Sequence, residues 1–263
     1  MTRVLSAVGL AAIVIAVVAF LPPEATLLVA VLASAVAFAE YADLAAAVGA
    51  RIPIVASGAA VAAACVAVGS DEPPLDVVCI IALIWIVLVG LFRAQPGPDV
   101  LRDVAASLFP VLYIGVPLGT LAAIRTIGGR DATFLLMATI VISDSAQYYA
   151  GRAFGKRKLA PTISPNKTVA GAVGGLLLGT AAMTAGGLFV FKGVNVWLLT
   201  ATAAAVVILG MAGDLFESLL KRSAGVKDSS TIIPGHGGVL DRIDSWLFAS
   251  PVFYIFTKYL QGS

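Results

Sequence analysis

Charged residues make up only 12% of this 263-residue chain, where soluble domains carry about a quarter. That scarcity excludes an ordinary water-soluble domain. Histidine occurs once and cysteine twice. Cys65 and Cys79 both sit inside apolar runs without CxxC spacing, so neither a disulfide framework nor a thiolate metal site is expected, and both read as buried thiols. No internal repeat and no low-complexity tail is visible, and no Ser-His-acid arrangement suggests a covalent intermediate. The formal net charge of +2 carries little information by itself.

What the chain has in abundance is apolar residues, at 60%, with a mean hydropathy of +1.00. The apolar runs are continuous rather than alternating, which favours helices over a barrel, because a membrane segment must satisfy its backbone groups internally. Runs of about 20 residues match the roughly 30 Å hydrocarbon layer. Candidate spans are 4–21, 25–39, 52–69, 77–92, 104–124, 132–149, 168–190, 196–213 and 243–260. The expected fold is therefore an all-α integral membrane protein of about nine transmembrane helices. The first run follows Arg3 and is expected to be a retained helix rather than a signal peptide. Pro22-Pro23-Glu24, Asp71-Glu72-Pro73-Pro74 and Gln95-Pro96-Gly97-Pro98 mark breaks. Abundant Gly and Ala in the seventh and eighth spans would allow close helix packing.

Lysine and arginine placement orients the chain. With the N-terminus inside, the even-numbered loops face the cytoplasm and hold most of the bases, while the first and third outer loops hold Glu24 and Asp71, Glu72 and Asp76 without a base. Arg125, Arg130 and Lys192 fall on the other side. Two cytoplasmic loops stand apart. The stretch 151–167 is dense in base, and the stretch 214–244 mixes acids, bases, glycines and the single His236. Two regions are expected: N-terminal helices over 1–125, and a C-terminal catalytic region over 126–263, with its polar site at the cytoplasmic ends of the C-terminal helices.

If the eighth span continues past Gly213, then Asp214, Glu217, Ser218, Lys221 and Arg222 share one helix face. Asp241 and Asp244 lie three apart at the mouth of the ninth helix. Carboxylates there could meet Asp214 around a hard cation. Between them, Pro234-Gly235-His236-Gly237-Gly238 has bare amides that can approach a phosphate closely. Asp144 lies in the sixth span among Ser143, Ser145, Gln147 and Tyr148. It reads either as a packing hydrogen bond or as part of a polar cavity or metal site, because charge at membrane depth is costly unless it serves a site.

The run Ser218-x-Leu-Lys-Arg222, Lys227-Asp-x-Ser230 and Ile233-Pro-x-His-Gly-Gly-Val-x-Asp-Arg-Ile-Asp244 resembles the signature of the phosphatidate cytidylyltransferases, also called CDP-diacylglycerol synthases. Upstream, Asp144, Tyr148, Gly151, Phe154-Gly155-Lys156 and Ser164-Pro165-Asn166-Lys167-Thr168 resemble that family's second block. Val169 and Ala170 depart from the aromatic and the acidic or amide residue often found there. The resemblance covers roughly Ser143 to Pro251 and leaves the first hundred residues as generic membrane helices.

The resemblance implies transfer of CMP from CTP to phosphatidic acid with release of pyrophosphate, at a cell membrane in a multi-pass protein. It implies Mg²⁺, with room for a second cation, held by Asp144, Asp214, Asp241 and Asp244. Lys221, Arg222, Lys227, His236 and Arg242 would act on the reacting phosphates. Ser164, Lys167, Thr168, Ser218, Gly237 and Gly238 would line the nucleotide. Partners are CTP, phosphatidic acid and membrane lipid, with no nucleic acid. The N-terminal helices, which lack charged motifs, are a candidate homodimer face. Two alternatives stay open: a CTP-dependent lipid kinase of the dolichol-kinase type, and a transporter using Asp144 and Asp214.

Overall fold

The computed structural model describes residues 2–93, 97–233 and 237–260. His236, expected among the catalytic bases, lies outside the described residues. In chain order the helices are α1 (Thr2–Phe20), α2 (Pro23–Ala47), α3 (Ile54–Ser70), α4 (Leu75–Arg93), α5 (Val100–Pro110), α6 (Val116–Ile127) and α7 (Gly129–Phe154). Then come strands β1 (Lys158–Ala160) and β2 (Ser164–Thr168), followed by α8 (Val169–Val190), α9 (Val196–Ser223) and α10 (Leu240–Ile255). A π-helical turn, Val111–Gly115, joins α5 to α6 without a break, and a second, Phe256–Leu260, extends α10. The first turn directly follows Pro110, whose missing N–H removes a helical hydrogen bond and loosens the ladder there.

Among the described residues, five helical stretches are long and apolar enough to cross a membrane: Pro23–Ala47, Leu75–Phe92, Val100–Ile127, Val169–Val190 and Val196–Ser223. Ala11–Phe20 and Ile54–Ser70 are apolar but shorter. The chain is an all-α membrane protein apart from one small hairpin. Its exposed surface is correspondingly oily: Phe92 and Phe189 are 89% and 85% exposed, which suits contact with lipid and would be costly in water.

The chain divides into two compact units. The first holds Met1–Ala123 and Leu220–Ile243. Here α3, built largely of alanine and valine, packs between α2, α4 and the first π-helical turn, with Val61, Ala64 and Cys65 fully buried. A side-chain carbon on Gly115 would stand 2.5 Å from the Val61 carbonyl, and one on Gly119 would stand 2.6 Å from that of Cys65, so only glycine permits this approach. Both cysteines are free, Cys65 buried and Cys79 half-buried. The short span 25–39, which the apolar stretch after Tyr41 could extend, does continue: α2 runs to Ala47, because Glu40–Ala47 contains no breaker. It stops at Gly49, which adopts φ +84°. Arg102 in α5 donates to the Gly49 carbonyl at 2.6 Å and pairs with Asp99 at 3.2 Å. Tyr41 donates to the Ala106 carbonyl at 3.0 Å and begins a ring stack through Phe109 to Tyr113. These contacts fix the C-terminal turns of α2.

The second unit holds Ile124–Leu219 and Asp244–Ser263. The buried face of α8 is Gly171, Gly175, Gly179, Met183 and Gly187, one residue per turn, and it brings α7 and α8 into close register as the glycine content predicts. The basic stretch 151–167 is not a plain loop. It contains an antiparallel hairpin pairing Lys158 with Thr168 and Ala160 with Ser164. A run as short as Ser-Pro-Asn-Lys-Thr carries no apolar alternation to announce a strand. Residues 220–243, expected within a single C-terminal region, belong with the N-terminal helices in this division.

Candidate active site

In the second unit the hairpin sets Lys167. Thr168 closes β2 and caps α8, its hydroxyl oxygen accepting from the Gly171 N–H at 3.1 Å. With the strand fixed by that cap, Lys167 Nζ reaches the Asp214 carboxylate at 2.5 Å. Asp214 itself lies on α9, which runs unbroken past Gly213 to Ser223, so the one-face spacing of Asp214, Glu217, Ser218, Lys221 and Arg222 holds. A side-chain carbon on Gly213 would stand 2.5 Å from the Asp244 carbonyl, and this close approach brings α10 against α9.

Asp144, Asp214 and Asp244 are electrostatic neighbours, and the fully buried Glu217 joins them next to Asp244. Asp144 accepts from Gln147 Nε2 at 2.9 Å, and an Asp244 carboxylate oxygen accepts from the Ser245 N–H at 2.7 Å. Beside Asp144 is a small cavity lined in part by Ser143, Val207, Met211 and Ser245. Lys167 is paired with Asp214 and is an electrostatic neighbour of Asp144 as well. Among the described residues no group of three His, Cys, Asp or Glu side chains is placed to hold a metal ion. Ser164 and Ser218 are half-buried in the same unit.

In the first unit the signature loop is organised by carboxylates. Lys221, 9% exposed, is ion-paired with Asp241 Oδ1. Asp241 Oδ2 accepts from the Gly238 N–H at 2.8 Å, and from the Ser229 N–H and hydroxyl at 2.9 and 2.8 Å. Burial pushes the Asp241 carboxyl up, but the bonds from Lys221, Gly238 and Ser229 outweigh it and hold the group down at about 2. Asp241, expected as a metal ligand, here has both oxygens engaged by protein donors.

The glycines of the loop have a steric reason. Gly237 adopts φ +80°, and a side-chain carbon there would stand 2.5 Å from Asp241 Oδ2. One on Gly238 would run into Ser229 Oγ and both oxygens of Glu40. The Ile233 N–H donates to the Gly237 carbonyl at 2.9 Å, closing the turn. Arg222 donates to the Val226 carbonyl at 3.1 Å, and Arg222, Lys227 and Arg242 are exposed.

Glu40 was not singled out by sequence reasoning. It is 1% exposed and accepts from Ser229, Ser230, Val239 and Leu240. An acid inside an apolar helix was the available signal.

Each unit thus holds polar groups that a purely apolar bundle would not need: an acid cluster with a paired lysine in the second, and a glycine loop bound to buried carboxylates in the first. The chain belongs to the cytidylyltransferase family, whose model matches residues 1–260. It is similar to proteins named phosphatidate cytidylyltransferase. One from Staphylococcus haemolyticus is 42% identical over 155 residues, which is 58% of this chain and 58% of that relative. Others from Staphylococcus epidermidis and Staphylococcus aureus are 41% and 40% identical, again over 155 residues and 58% of each chain. The match thus spans 58% of the length of these curated relatives.

Proposed function

We propose that this protein transfers the CMP moiety of CTP to phosphatidic acid, giving CDP-diacylglycerol and pyrophosphate. It would do so as a multi-pass cell-membrane protein of about nine spans with its site facing the cytoplasm. The carrying observation is the acid cluster of Asp144, Asp214 and Asp244 with Lys167 held against Asp214, in a chain of the cytidylyltransferase family.

A phosphatidate oxygen attacks the α-phosphorus of CTP in line. The bond from that phosphorus to the bridging oxygen breaks, and pyrophosphate leaves with the electron pair. A phosphate monoester has a second pKa of about 6, so the nucleophile is already an anion and needs no strong base. The requirement is positioning and neutralisation of charge. Lys167, Lys221, Arg222, Lys227, His236 and Arg242 supply cations, of which arginine suits bidentate phosphate contact and lysine acts as a point charge. Ser164, Thr168, Ser218, Gly237 and Gly238 would face the nucleotide. Asp214, with Asp144 and Asp244, would hold Mg²⁺; Asp241, a first choice with Asp214 on the sequence, would have to release Lys221 or the loop donors to join them. Such an ion polarises phosphate oxygens and offsets charge on the leaving group. The reading places the chemistry in the region 126–263 and requires neither a second cation nor a homodimer.

The reading is tested by pyrophosphate release from the purified protein in detergent. Release should require CTP and phosphatidic acid together and fail with diacylglycerol in place of phosphatidic acid. Release with diacylglycerol, or without any lipid, would contradict it.

A further inference from the structure

Glu40 lies near the end of α2, in helices that show none of the family signature, yet its hydrogen-bond partners among the described residues belong to the signature loop. Its Oε1 accepts from the Ser230 hydroxyl at 2.7 Å and the Val239 N–H at 2.9 Å. Its Oε2 accepts from the Ser229 hydroxyl at 2.9 Å and the Leu240 N–H at 2.7 Å. Leu240 opens α10, so the carboxylate sits on bare amides at a helix start, 200 positions away in sequence, where an anion is favoured.

We infer that Glu40 is a positioning residue: it anchors Ser229, Ser230, Val239 and Leu240 and, through Ser229, the Asp241–Lys221 pair, an inference that rests on the cytidylyl-transfer reading above. Ser229 Oγ lies between the two carboxylates, 2.9 Å from Glu40 and 2.8 Å from Asp241, and its single proton is shared between them. Asp241 in turn holds Lys221. Displacing Glu40 therefore moves the groups that set a buried cation.

The arrangement demands a carboxylate of this length. Each Glu40 oxygen takes one hydroxyl and one backbone N–H. A hydroxyl can rotate and accept instead, but a backbone N–H cannot. Glutamine, in either orientation of its amide, would point an NH₂ at the N–H of Val239 or Leu240. Aspartate keeps the charge and loses a methylene of reach.

The test uses the full chain purified in detergent, with Glu40→Gln, Glu40→Asp, Ser230→Ala and the Glu40→Gln/Ser230→Ala double variant. Three quantities are read: kcat and KM for CTP, thermal unfolding, and amide exchange over 229–240. Glu40→Gln should lower kcat by about 10–100-fold, as loss of a group that orients site residues does, with a much smaller change in KM. It should speed exchange at Val239 and Leu240. Glu40→Asp should not rescue. Ser230→Ala should lose less, and should add little in the Glu40→Gln background because the anchoring that both residues serve is already released there.

A merely structural role predicts kcat loss only in proportion to the unfolded fraction, and that result overturns the inference. So do unchanged exchange in Glu40→Gln, and full additivity of the two substitutions. If Glu40→Gln does not fold, Ser230→Ala decides alone: a kcat loss with wild-type unfolding supports the anchor, and wild-type kcat and exchange overturn it. A wild-type protein inert toward CTP and phosphatidic acid would defeat the functional reading, while the exchange measurement would still decide whether Glu40 holds the loop.

Discussion

The ammonium of Lys167 stands 2.5 Å from the Asp214 carboxylate, joining the end of a two-stranded hairpin to the C-terminal half of α9. Both side chains are partly buried, and each charge makes the other tolerable there. Removing one preorganised charge contact at a reacting phosphate costs about 3 kcal/mol, or roughly a hundredfold in rate. Asp214→Asn and Lys167→Met are each expected to lose about that much kcat, and Asp214→Asn should also raise the Mg²⁺ concentration for half-maximal rate. Steady-state assays across a Mg²⁺ series check this. Normal turnover and Mg²⁺ dependence in Asp214→Asn would remove the acid cluster from the chemistry.

The Lys221–Asp241 pair is more enclosed, with side chains 11% and 5% exposed. Removing one partner of such a pair costs about 3–5 kcal/mol, because the other charge is left buried and uncompensated. Asp241→Asn is expected to fold, to unfold at lower temperature and to lose most of its activity. Lys221→Met should behave alike, and the double variant should be less destabilised than the sum of the two. Thermal unfolding of all three in one detergent gives the coupling directly.

Two glycine substitutions separate crowding from helix propensity. Gly238→Ala places a carbon against Ser229 and the Glu40 carboxylate and should cost about 1–3 kcal/mol as an overpacked site does. Activity should fall with it as the loop shifts. Gly90→Ala in α4 meets no atom within 4 Å; it should leave activity unchanged and stabilise the fold by about 0.5–1 kcal/mol through helix propensity alone.

Most of the helices were legible because an apolar run of membrane length has few other uses. The nine expected stretches are all helical over most of their length, and the continuation of α9 to Ser223 follows from the i, i+3, i+4 spacing of its polar residues. Glu40 was hidden for a physical reason. Its partners lie 189 to 200 positions away, and beside Tyr41 and Asp43 it looks like the polar end of a span. The hairpin was hidden because five residues with a proline and two polar neighbours carry no alternation. The packing of Gly237 and Gly238 against carboxylates was equally invisible, since a glycine-rich turn does not state what approaches it.

The orientation expected from the bases is open to direct labelling. In a background lacking Cys65 and Cys79, Arg157→Cys should react with an impermeant maleimide only from the cytoplasmic side. Lys192→Cys should react only from the opposite side. Both positions are exposed. Labelling of Arg157→Cys from the outside would invert the orientation and remove the site from the compartment that holds nucleotides.

The most direct measurement uses CTP labelled at either the α or the γ phosphorus, incubated with purified protein, Mg²⁺ and phosphatidic acid in detergent. Cytidylyl transfer predicts that label enters lipid from the α position and never from the γ position, with pyrophosphate released in equal amount. Label entering lipid from the γ position would make the protein a kinase, and no transfer from either would contradict the account.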